Sequence, residues 1–380
     1  MKSYKSLFGT ALAHISAHRH AAAHSHHLRP DVVREAAHAC LDDTFRLADL
    51  KWQKFLGEVY PRAQAHVARL LGTGQPENVV FAASTHELLM RLLSCCPAPL
   101  RILTTDSEFH SAARQLRRLE EAQRARVTRV PAEPFDSFAE RFAAAASGSH
   151  ELVFLSHVFF DSGYVVPDLD AVVAAVTDRT TFVVIDGYHA FMALPVDLSR
   201  LRERVFYLAG GYKYAMSGEG ACFMHAPPGY GARPVNTGWF AGFGGLEVSG
   251  AGPVPFAADA TRFAGATLAP DGIYRLEAAL TMLEREGVDA GGVHARVQEL
   301  QRLFLERLTT PALPRGALLV NGPRGNFLTW RSERAAALQQ NLLELGIISD
   351  HRGDRLRLGF GLYHDPDDIS RMAAVVNQLG

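Results

Sequence analysis

Short apolar runs alternate with helical segments through the first two thirds of the chain, and this alternation constrains the fold more than any other feature. Five runs have the length and composition of buried strands: NVVFAA (78–83), RILTTD (101–106), LVFLSHVF (152–159), TFVVID (181–186) and RVFYLAG (204–210). Helical periodicity occupies the segments between them, and residues 30–72 predict one long amphipathic helix. Because strands buried on both faces occur mainly in parallel sheets covered by helices, we predict an α/β fold with a mostly parallel central sheet.

The pattern changes after about residue 226, where a stretch rich in Gly and Pro begins. The remainder has the pattern of an α+β unit: helices at 271–287, 290–309, 334–346 and 365–379, and strands at 317–322, 326–331 and 355–361. A chain of 380 residues exceeds the size at which one core keeps growing, so we expect two domains. We place an N-terminal arm at 1–29, a large domain at 30–255 and a small C-terminal domain at 256–380.

The charge balance and the cysteines exclude several classes of function. Lys and Arg number 39 against 40 Asp and Glu, so the chain has no general attraction for nucleic acid or an anionic membrane. No run reaches the roughly 18 apolar residues of a membrane span. Four cysteines, Cys40, Cys95, Cys96 and Cys222, form no CxxC pair. They predict free thiols in a reducing compartment, and hence a cytoplasmic protein.

The histidines are unusual in their distribution. Six of the 17 lie in the first thirty residues: His14, His18, His20, His24, His26 and His27. Such a tract can bind Zn²⁺, and a metal-binding protein without catalytic activity is one interpretation. A structural metal site needs fixed geometry and partners around its ligands, and no Cys or Asp is spaced for one. We therefore expect no physiological metal.

The residues between 181 and 225 carry the strongest chemical signal. Asp186 ends a predicted strand, where open α/β sheets present side chains to ligands, and His189 follows three residues later. Lys213 lies just past the next strand, between glycines and tyrosines. Removal from water lowers the pKa of a lysine and makes it a nucleophile or a Schiff-base former. A nearby carboxylate could pair with the pyridinium nitrogen of a cofactor, although the same two residues could form a structural ion pair.

Three other features are compatible with a ligand or with ordinary structure. Ser84 and Thr85 lie between a strand and a helix, so they could bind an anion or simply cap the helix. Phe109 follows a strand and could lie against a planar ring or pack in the core. Arg357, on a predicted strand, could bind a carboxylate through two parallel hydrogen bonds or face solvent.

Taken in this order, the motifs resemble those of the fold-type-I pyridoxal-phosphate (PLP) enzymes, in the branch of class-V aminotransferases and kynureninases. The likeness is strongest to kynureninase. It rests on five segments: AASTHELLMRLL (82–93), SEFHS (107–111), the Asp-x-x-His and Tyr-Lys-Tyr pair (186–189, 212–214), NTGWFAGFGGLE (236–247) and GIISDHRGDRLRLGFGLYHDPDDI (346–369). Because these segments span nearly the whole chain, the resemblance implies the PLP fold type I and a PLP cofactor.

The resemblance implies roles for individual residues. Lys213 would form the Schiff base with PLP, and Asp186 would hold the proton on the pyridine nitrogen. The cofactor-binding set that it implies is Ser84, Thr85, Phe109, Asp186, His189, Tyr212, Lys213, Trp239 and Thr267. Ser84, Thr85 and Tyr212 would bind the phosphate and Phe109 would stack on the ring. Thr267 would reach the phosphate of the neighbouring subunit, which implies a homodimer with shared active sites.

The substrate pocket departs from the kynureninase pattern. The segment TFRLADLKW (44–52) lacks the histidine that touches the aromatic substrate in that family. HSHHLRP (24–30) replaces the family's Asn-Ser-Leu-Gly segment. We therefore expect Ser25, His24 and His26 to contact a different substrate, with Arg357 binding its α-carboxylate.

The resemblance implies an enzyme that acts on an L-amino acid, with kynureninase-like hydrolysis of the Cβ–Cγ bond as the first hypothesis. A class-V aminotransferase, or an amino-acid epimerase or lyase, is the alternative, because each needs the same lysine, aspartate and arginine. A cysteine desulfurase is disfavoured. Its chemistry needs a mobile thiolate, and no cysteine follows Cys222.

Overall fold

The computed structural model of the protein describes residues 1–242 and 252–379. Its helices are α1 Gly9–Leu12, α2 Asp31–Leu47, α3 Lys51–Lys54, α4 Tyr60–Leu70, α5 Thr85–Leu93, α6 His110–Glu121, α7 Phe138–Ala146, α8 Leu169–Ala175, α9 Asp271–Arg285, α10 Ala290–Arg307, α11 Ala335–Glu344 and α12 Pro366–Val376. Its strands are β1 Val79–Ala82, β2 Leu100–Thr105, β3 Ala125–Val130, β4 Leu152–Ser156, β5 Phe182–Asp186, β6 Val205–Gly210, β7 Cys222–His225, β8 Phe327–Arg331, β9 Asp350–Arg352 and β10 Arg355–Gly359.

Seven strands form the central sheet, in the order β1-β7-β6-β5-β4-β2-β3. Strand β7 runs antiparallel to both of its neighbours, β6 and β1, and the other pairs are parallel. Every residue of β4, β6 and β7 is buried, as expected for a sheet with helices on both faces. The predicted α/β fold with a mostly parallel central sheet, of PLP fold type I, is confirmed.

The structure differs from the sequence-based elements at several places, and strands β7 and β9 were not predicted. Residues 30–72 are not one helix, because Ala48 adopts a left-handed φ of 47° that ends α2. Residues 317–322 are not a strand; Leu318 makes only an isolated bridge to Trp330. Strand β3 was not predicted, because arginines occupy the exposed positions of this edge strand and resemble a charged helix surface.

A smaller three-stranded sheet, in the order β8-β10-β9, lies in the C-terminal part of the chain. The N-terminal segment packs beside it. The N–H of Ala21 donates to the carbonyl of Ile348, and the N–H of Gly359 donates to the carbonyl of Ala21. This pairing brings the segment that carries His24 to the end of β10. Across the described residues, no helix is both long and apolar enough to cross a membrane.

Candidate active site

A cavity of about 250 Å³ opens where β4, β5 and β6 end. Ser156 and Asp186 are the last residues of β4 and β5 and lie opposite each other in the parallel register. Ligand sites at this edge are expected for open α/β sheets. The cavity is lined by seven residues that the sequence predicted for the cofactor: Ser84, Thr85, Phe109, Asp186, His189, Tyr212 and Lys213. The fold therefore brings together residues that are up to 129 positions apart in the sequence.

Lys213 is enclosed by aromatic rings. Its side-chain nitrogen lies 4.2 Å from the centre of the Tyr188 ring, 4.8 Å from that of Tyr212 and 5.7 Å from that of Phe109. Only 4% of the residue is exposed. Burial lowers the pKa of Lys213 to about 7, although the charge of Asp186 acts in the opposite direction. An amine with this pKa is a nucleophile near neutral pH.

Asp186 presents its carboxyl group to the same cavity. The backbone N–H of Tyr188 donates to Oδ1 at 2.9 Å and fixes the orientation of the carboxyl group. Burial raises the pKa of Asp186, while this hydrogen bond and the charge of Lys213 oppose the rise. A positively charged ring nitrogen placed here would favour the ionised form of this carboxyl group.

The N-terminus of α5 forms the opposite end of the cavity. Ser84 is the N-cap, and its hydroxyl oxygen accepts a hydrogen bond from the N–H of Glu87 at 3.3 Å. The two sequence interpretations of Ser84 are thus compatible, because the capping residue also lines the cavity. Free N–H groups at the start of this nine-residue helix, together with the Thr85 hydroxyl, favour a bound anion.

Phe109 and His189 complete the walls of the cavity. Phe109 packs edge-to-face against Phe160, with ring centres 5.4 Å apart. His189 is buried, and its ring centre lies 5.5 Å from that of Phe327. Burial lowers the pKa of His189 well below its ordinary value, and the charges of Lys213 and Arg357 add to the effect. His189 is therefore a neutral imidazole at physiological pH.

Arg357 lies beside the cavity, and each of its three side-chain nitrogens donates a hydrogen bond to a protein oxygen. Its Nε donates to Asp350 Oδ1 at 2.9 Å, its Nη2 donates to Asp350 Oδ2 at 2.5 Å, and its Nη1 donates to the carbonyl of Phe160. His24, which is also completely buried, donates from Nε2 to Asp350 Oδ1 at 3.2 Å. The structure thus places His24 beside Asp350 and not among the residues that line the cavity.

His26 lies at the mouth of the cavity. Its ring stacks on Tyr212 with ring centres 5.1 Å apart, and its Nε2 lies 4.0 Å from a carboxylate oxygen of Glu219, which also lines the cavity. Ser25 contacts His26 through a hydrogen bond of 3.3 Å. Of the three N-terminal residues predicted to meet a substrate, His26 is the one with a side chain at the opening.

Trp239 and Thr267 lie together, away from this cavity. The indole N–H of Trp239 donates to the Thr267 hydroxyl at 3.2 Å. Thr267 lines a second cavity of about 520 Å³, together with Phe240 and Arg91. The final part of the predicted segment 236–247 lies outside the described residues.

Sequence reasoning missed several residues at or beside the site, among them Tyr188 and Cys222 in the lining and Glu108 next to it. Glu108 is buried and accepts hydrogen bonds from the hydroxyl of Ser156 at 2.6 Å and from its N–H at 3.1 Å. Burial raises the pKa of Glu108 to about 8, against these hydrogen bonds. The sequence offered one signal for two of these residues: Glu108 and Tyr188 each adjoin a predicted site residue. In the described part of the chain, no group of three or more His, Cys, Asp or Glu side chains is placed to share a metal ion.

Comparison with known sequences identifies related proteins. The family described as aminotransferase class-V matches residues 48–320, more than half of the chain. A kynureninase from Deinococcus radiodurans is 30% identical over 56% of this chain and 54% of its own length. The match thus spans about half of that relative. An isopenicillin N epimerase from Amycolatopsis lactamdurans is 25% identical over 83% of this chain and 84% of its own length. A probable cysteine desulfurase from Vibrio cholerae is 22% identical over 83% of this chain and 81% of its own length.

Solved structures share the whole fold at low sequence identity. A lysine-to-alanine mutant of C-DES, with glycine covalently linked to its PLP cofactor, superposes with a TM-score of 0.83. The match covers 100% of both chains at 19% identity. The apo cysteine desulfurase from Thermococcus onnurineus superposes with a TM-score of 0.78 at 17% identity, over 100% of this chain and 98% of that one. At these identities the likeness establishes the fold.

Proposed function

Because the chain belongs to the class-V aminotransferase family, we propose that it acts on an L-amino acid by kynureninase-like hydrolysis of the Cβ–Cγ bond. It is a PLP-dependent enzyme of class V. The observation that carries the proposal is the desolvated Lys213, which shares one cavity with Asp186 and the N-terminus of α5. This combination provides a reactive amine, a carboxylate and an anion site.

The residues of the cavity fit PLP group by group. Lys213 would hold the aldehyde carbon, Asp186 would hold a proton on the pyridine nitrogen, and Phe109 would cover the ring. Ser84 and Thr85, at the start of α5, would hold the phosphate. When bound, the cofactor supplies an electron sink for bonds at the α-carbon of the substrate.

Lys213 would also move a proton once the substrate amine has taken its place on the cofactor. An amine with a pKa of about 7 can remove a proton from the α-carbon and return it at neutral pH. The aromatic enclosure by Tyr188, Tyr212 and Phe109 excludes water from this amine. The Tyr212 hydroxyl accepts a hydrogen bond from Lys213 at 3.4 Å and would orient it.

The proposed reaction consumes one water. A γ-keto α-amino acid, R–CO–CH₂–CH(NH₃⁺)–COO⁻, and H₂O would give R–COOH and alanine. Water adds to the γ-carbonyl carbon, the Cβ–Cγ bond breaks, and Cβ receives a proton. His26 would face the R group or the incoming water, a role supported by its stacking on Tyr212 beside Glu219.

Epimerisation or transamination is the second candidate. The isopenicillin N epimerase matches a longer part of the chain than the kynureninase does. Both reactions need the proton transfer by Lys213, and neither adds water to a γ-carbonyl carbon of the substrate. The rearranged segment 24–30 supports a substrate other than kynurenine, whichever reaction follows.

Two copies of the chain would share their active sites. Trp239 and Thr267 lie outside the cofactor cavity, so a role at a phosphate requires the site of a neighbouring subunit. Light scattering coupled to size-exclusion chromatography would give the mass of a dimer. A monomer that binds PLP and is active would contradict this proposal.

A cytoplasmic location is also proposed. All four cysteines are free thiols, which supports a reducing compartment. Cys95 and Cys96 are adjacent in the sequence and remain unpaired with each other. Fractionation of the source cells, with an antibody against the protein, would test the location.

Product analysis tests the reaction. The holoenzyme is incubated with L-kynurenine and other γ-keto α-amino acids, and alanine and the released acid are measured by mass spectrometry. Equal amounts of both products are expected, and Lys213→Ala should yield none and lose the visible absorbance of bound PLP. A keto acid formed together with an aminated acceptor, or a D-amino acid, would replace hydrolysis by the second candidate.

A further inference from the structure

A polar cavity of about 440 Å³ adjoins the cofactor cavity, in the space between His86 of α5 and the stretch of α6 from Ser111 to Glu121. His86 and Ser111 line both cavities, so the two spaces meet at these residues. The cofactor cavity measures about 250 Å³, whereas small-molecule sites span roughly 300–1,000 Å³. PLP would fill most of it, and a long substrate side chain therefore needs the adjoining space.

One face of α6 forms a wall of the polar cavity. Four of the lining residues are spaced three or four positions apart, which places them on the same side of a helix. They are Ser111, Arg114, Gln115 and Arg118. The helix begins directly after Phe109, which lines the cofactor cavity. It therefore starts beside the cofactor and carries a row of polar side chains away from it.

The polar cavity contains an excess of positive charge. Its lining holds three arginines, Arg114, Arg117 and Arg118, and one acid, Glu121. Glu121 is shared between two of them, at 3.7 Å from Arg117 Nε and 3.6 Å from Arg118 Nη1. In the part of the chain that the structure describes, Arg114 has no ion-pair or hydrogen-bond partner. Two positive charges therefore remain unbalanced beside the cofactor cavity.

The chemistry of this lining selects an anion. Among the described residues, no Phe, Tyr, Trp or aliphatic side chain lines the polar cavity. Guanidinium groups bind carboxylates and phosphates through paired hydrogen bonds, and the amide of Gln115 and the hydroxyl of Ser111 are further donors. Arg114 and Arg118 lie about 5 and 10 Å beyond Ser111 along the helix axis. An anion bound there would thus lie at the far end of a ligand that starts at the cofactor.

The cavity that contains Thr267 offers the opposite chemistry. It also borders the cofactor cavity, but among the described residues the two share only Ala83. Aromatic and aliphatic side chains form most of its lining, including Phe55 and Phe240. A substrate with an aromatic side chain would suit this apolar cavity. The segment 44–52 lacks the histidine that touches an aromatic substrate in kynureninases, which favours the polar cavity instead.

We propose that the polar cavity binds a carboxylate or phosphate at the far end of the substrate side chain, with Arg114 and Arg118 as its cationic partners. The proposal rests on the proposed function, since it requires an amino acid at the cofactor. It applies to hydrolysis and to the second candidate alike. The substrate is then an acidic α-amino acid, and for hydrolysis a γ-keto α-amino acid whose R group ends in an anion.

The test compares ligands that differ mainly in the charge of the side chain. Wild-type holoenzyme, Arg114→Gln and Arg118→Gln are titrated with L-glutamate and L-glutamine, with L-2-aminoadipate and its side-chain amide, and with O-phospho-L-serine and L-serine. L-Phenylalanine represents aromatic substrates. Binding is followed by the absorbance of the bound cofactor. Arg126→Gln is the matched control, because Arg126 is an exposed arginine on the neighbouring strand β3 and does not line the polar cavity.

Wild type should bind each acidic ligand more tightly than its neutral counterpart. Arg114→Gln and Arg118→Gln should each weaken the acidic ligands about three- to tenfold, between the effects of an exposed ion pair and of a buried charge-assisted hydrogen bond. The neutral ligands should stay within about twofold of wild type, since they lack the lost contact. Arg126→Gln should change neither series. Melting temperature and PLP stoichiometry, measured for each variant, show whether the protein is folded.

Three results would overturn the proposal: no preference of wild type for the acidic ligands, equal weakening of acidic and neutral ligands, or tightest binding of L-phenylalanine. A loss of PLP affinity in Arg114→Gln with an unchanged ratio between glutamate and glutamine would also overturn it, because the charge would then serve the cofactor. The failure of the proposed function gives a different result. In that case no amino acid changes the cofactor absorbance of the wild-type enzyme, although PLP is bound.

Discussion

Lys213 acquires its chemistry from side chains that lie far from it in the sequence. The flanking glycines and tyrosines predicted desolvation, and the structure places the amine in an aromatic enclosure. Two of the three rings, from Tyr188 and Phe109, come from segments that follow β5 and β2. Local sequence can indicate that a lysine is poorly hydrated, but it cannot identify rings that only the sheet topology brings near.

Glu108 is a second residue whose state depends on its surroundings. Its carboxyl group joins the loop that carries Phe109 to Ser156 at the end of β4, and the negative charge of Asp186 lies close by. A buried acid next to another acid favours the protonated form. Glu108 is thus a neutral hydrogen-bonding group at pH 7.

Replacement of Glu108 by Gln should stabilise the protein at alkaline pH. The folded-state pKa of about 8 exceeds the ordinary value of 4.5, so the unfolded chain releases a proton that the folded chain keeps. Stability therefore falls as pH rises from 4.5 to 8, by up to about 1.4 kcal/mol per pH unit, and Gln removes this loss. Urea unfolding at pH 5, 6, 7 and 8 measures the difference.

The gain in the free energy of unfolding from Glu108→Gln should shrink towards pH 4.5, because the folded and the unfolded chain both keep the proton on Glu108 there. Ser156→Ala serves as the matched variant, because it removes the hydroxyl donor and leaves the carboxyl group. It should lower stability at every pH. A pH-independent effect of Glu108→Gln would show that Glu108 is ionised in the folded protein.

At the scale of elements, the sequence identified the strands that carry the site. β1, β2, β4, β5 and β6 lie at predicted runs, because each has a continuous apolar core and is buried on both faces. The antiparallel strand β7 was missed, since its four residues, CFMH, give too short a signal between Gly-rich and Pro-rich segments. The register, and with it the meeting of Ser156 and Asp186, follows from pairing between distant segments and could not be predicted.

The end of β6 shows how closely one element is fitted to the site. A Cβ added at Gly210 would lie 2.3 Å from the Tyr188 hydroxyl oxygen and 2.6 Å from Cys222 Sγ. Tyr188 is the ring nearest to the Lys213 amine. Any side chain at position 210 would therefore push this ring away from its place beside Lys213.

Gly210→Ala should lower the free energy of unfolding by about 1–3 kcal/mol through overpacking, and it should weaken PLP binding at least about tenfold. Chemical unfolding and the dissociation constant for PLP test the two effects. Gly57→Ala is the control, since no atom lies within 4 Å of its added Cβ and Gly57 sits in a helical turn. Its stability should rise by about 0.5–1 kcal/mol. Unchanged PLP affinity in Gly210→Ala would contradict the proposed fit.

At the scale of the whole molecule, the N-terminal histidines divide into different environments. His20, His24 and His27 are buried against the C-terminal part of the chain, whereas His26 is exposed at the cavity mouth. The composition indicated an unusual segment, but burial depended on pairing with Ile348 and Gly359, more than three hundred residues away. His27 illustrates the result: Nδ1 donates to the carbonyl of Leu28, and Nε2 accepts from the N–H of Leu362.

Besides His189, five other buried histidines remain neutral because they are removed from water. Burial lowers the pKa of His20, His24 and His157 to about 4 and that of His27 and His364 to about 3, from an ordinary 6.5. Between pH 6.5 and 4 the unfolded chain takes up protons that the folded chain cannot. Stability is therefore complete above pH 6.5 and is lost as pH falls, by up to about 1.4 kcal/mol per pH unit for each histidine.

We expect the free energy of unfolding to fall by at least about 3 kcal/mol between pH 6.5 and 5, even though Glu108 changes it in the opposite direction.

His364→Asn isolates one contribution. The Asn side-chain oxygen can accept the N–H of Gly361 in place of Nδ1, which now does so at 2.9 Å, but it cannot titrate. In urea unfolding, the free energy of unfolding of this variant should change with pH less steeply than that of wild type, by up to about 1.4 kcal/mol per pH unit. The control is His38→Asn, on the exposed face of α2, which should keep the wild-type slope. A His364→Asn slope equal to that of wild type would mean that His364 is already protonated in the folded protein, and acid sensitivity would then need another origin.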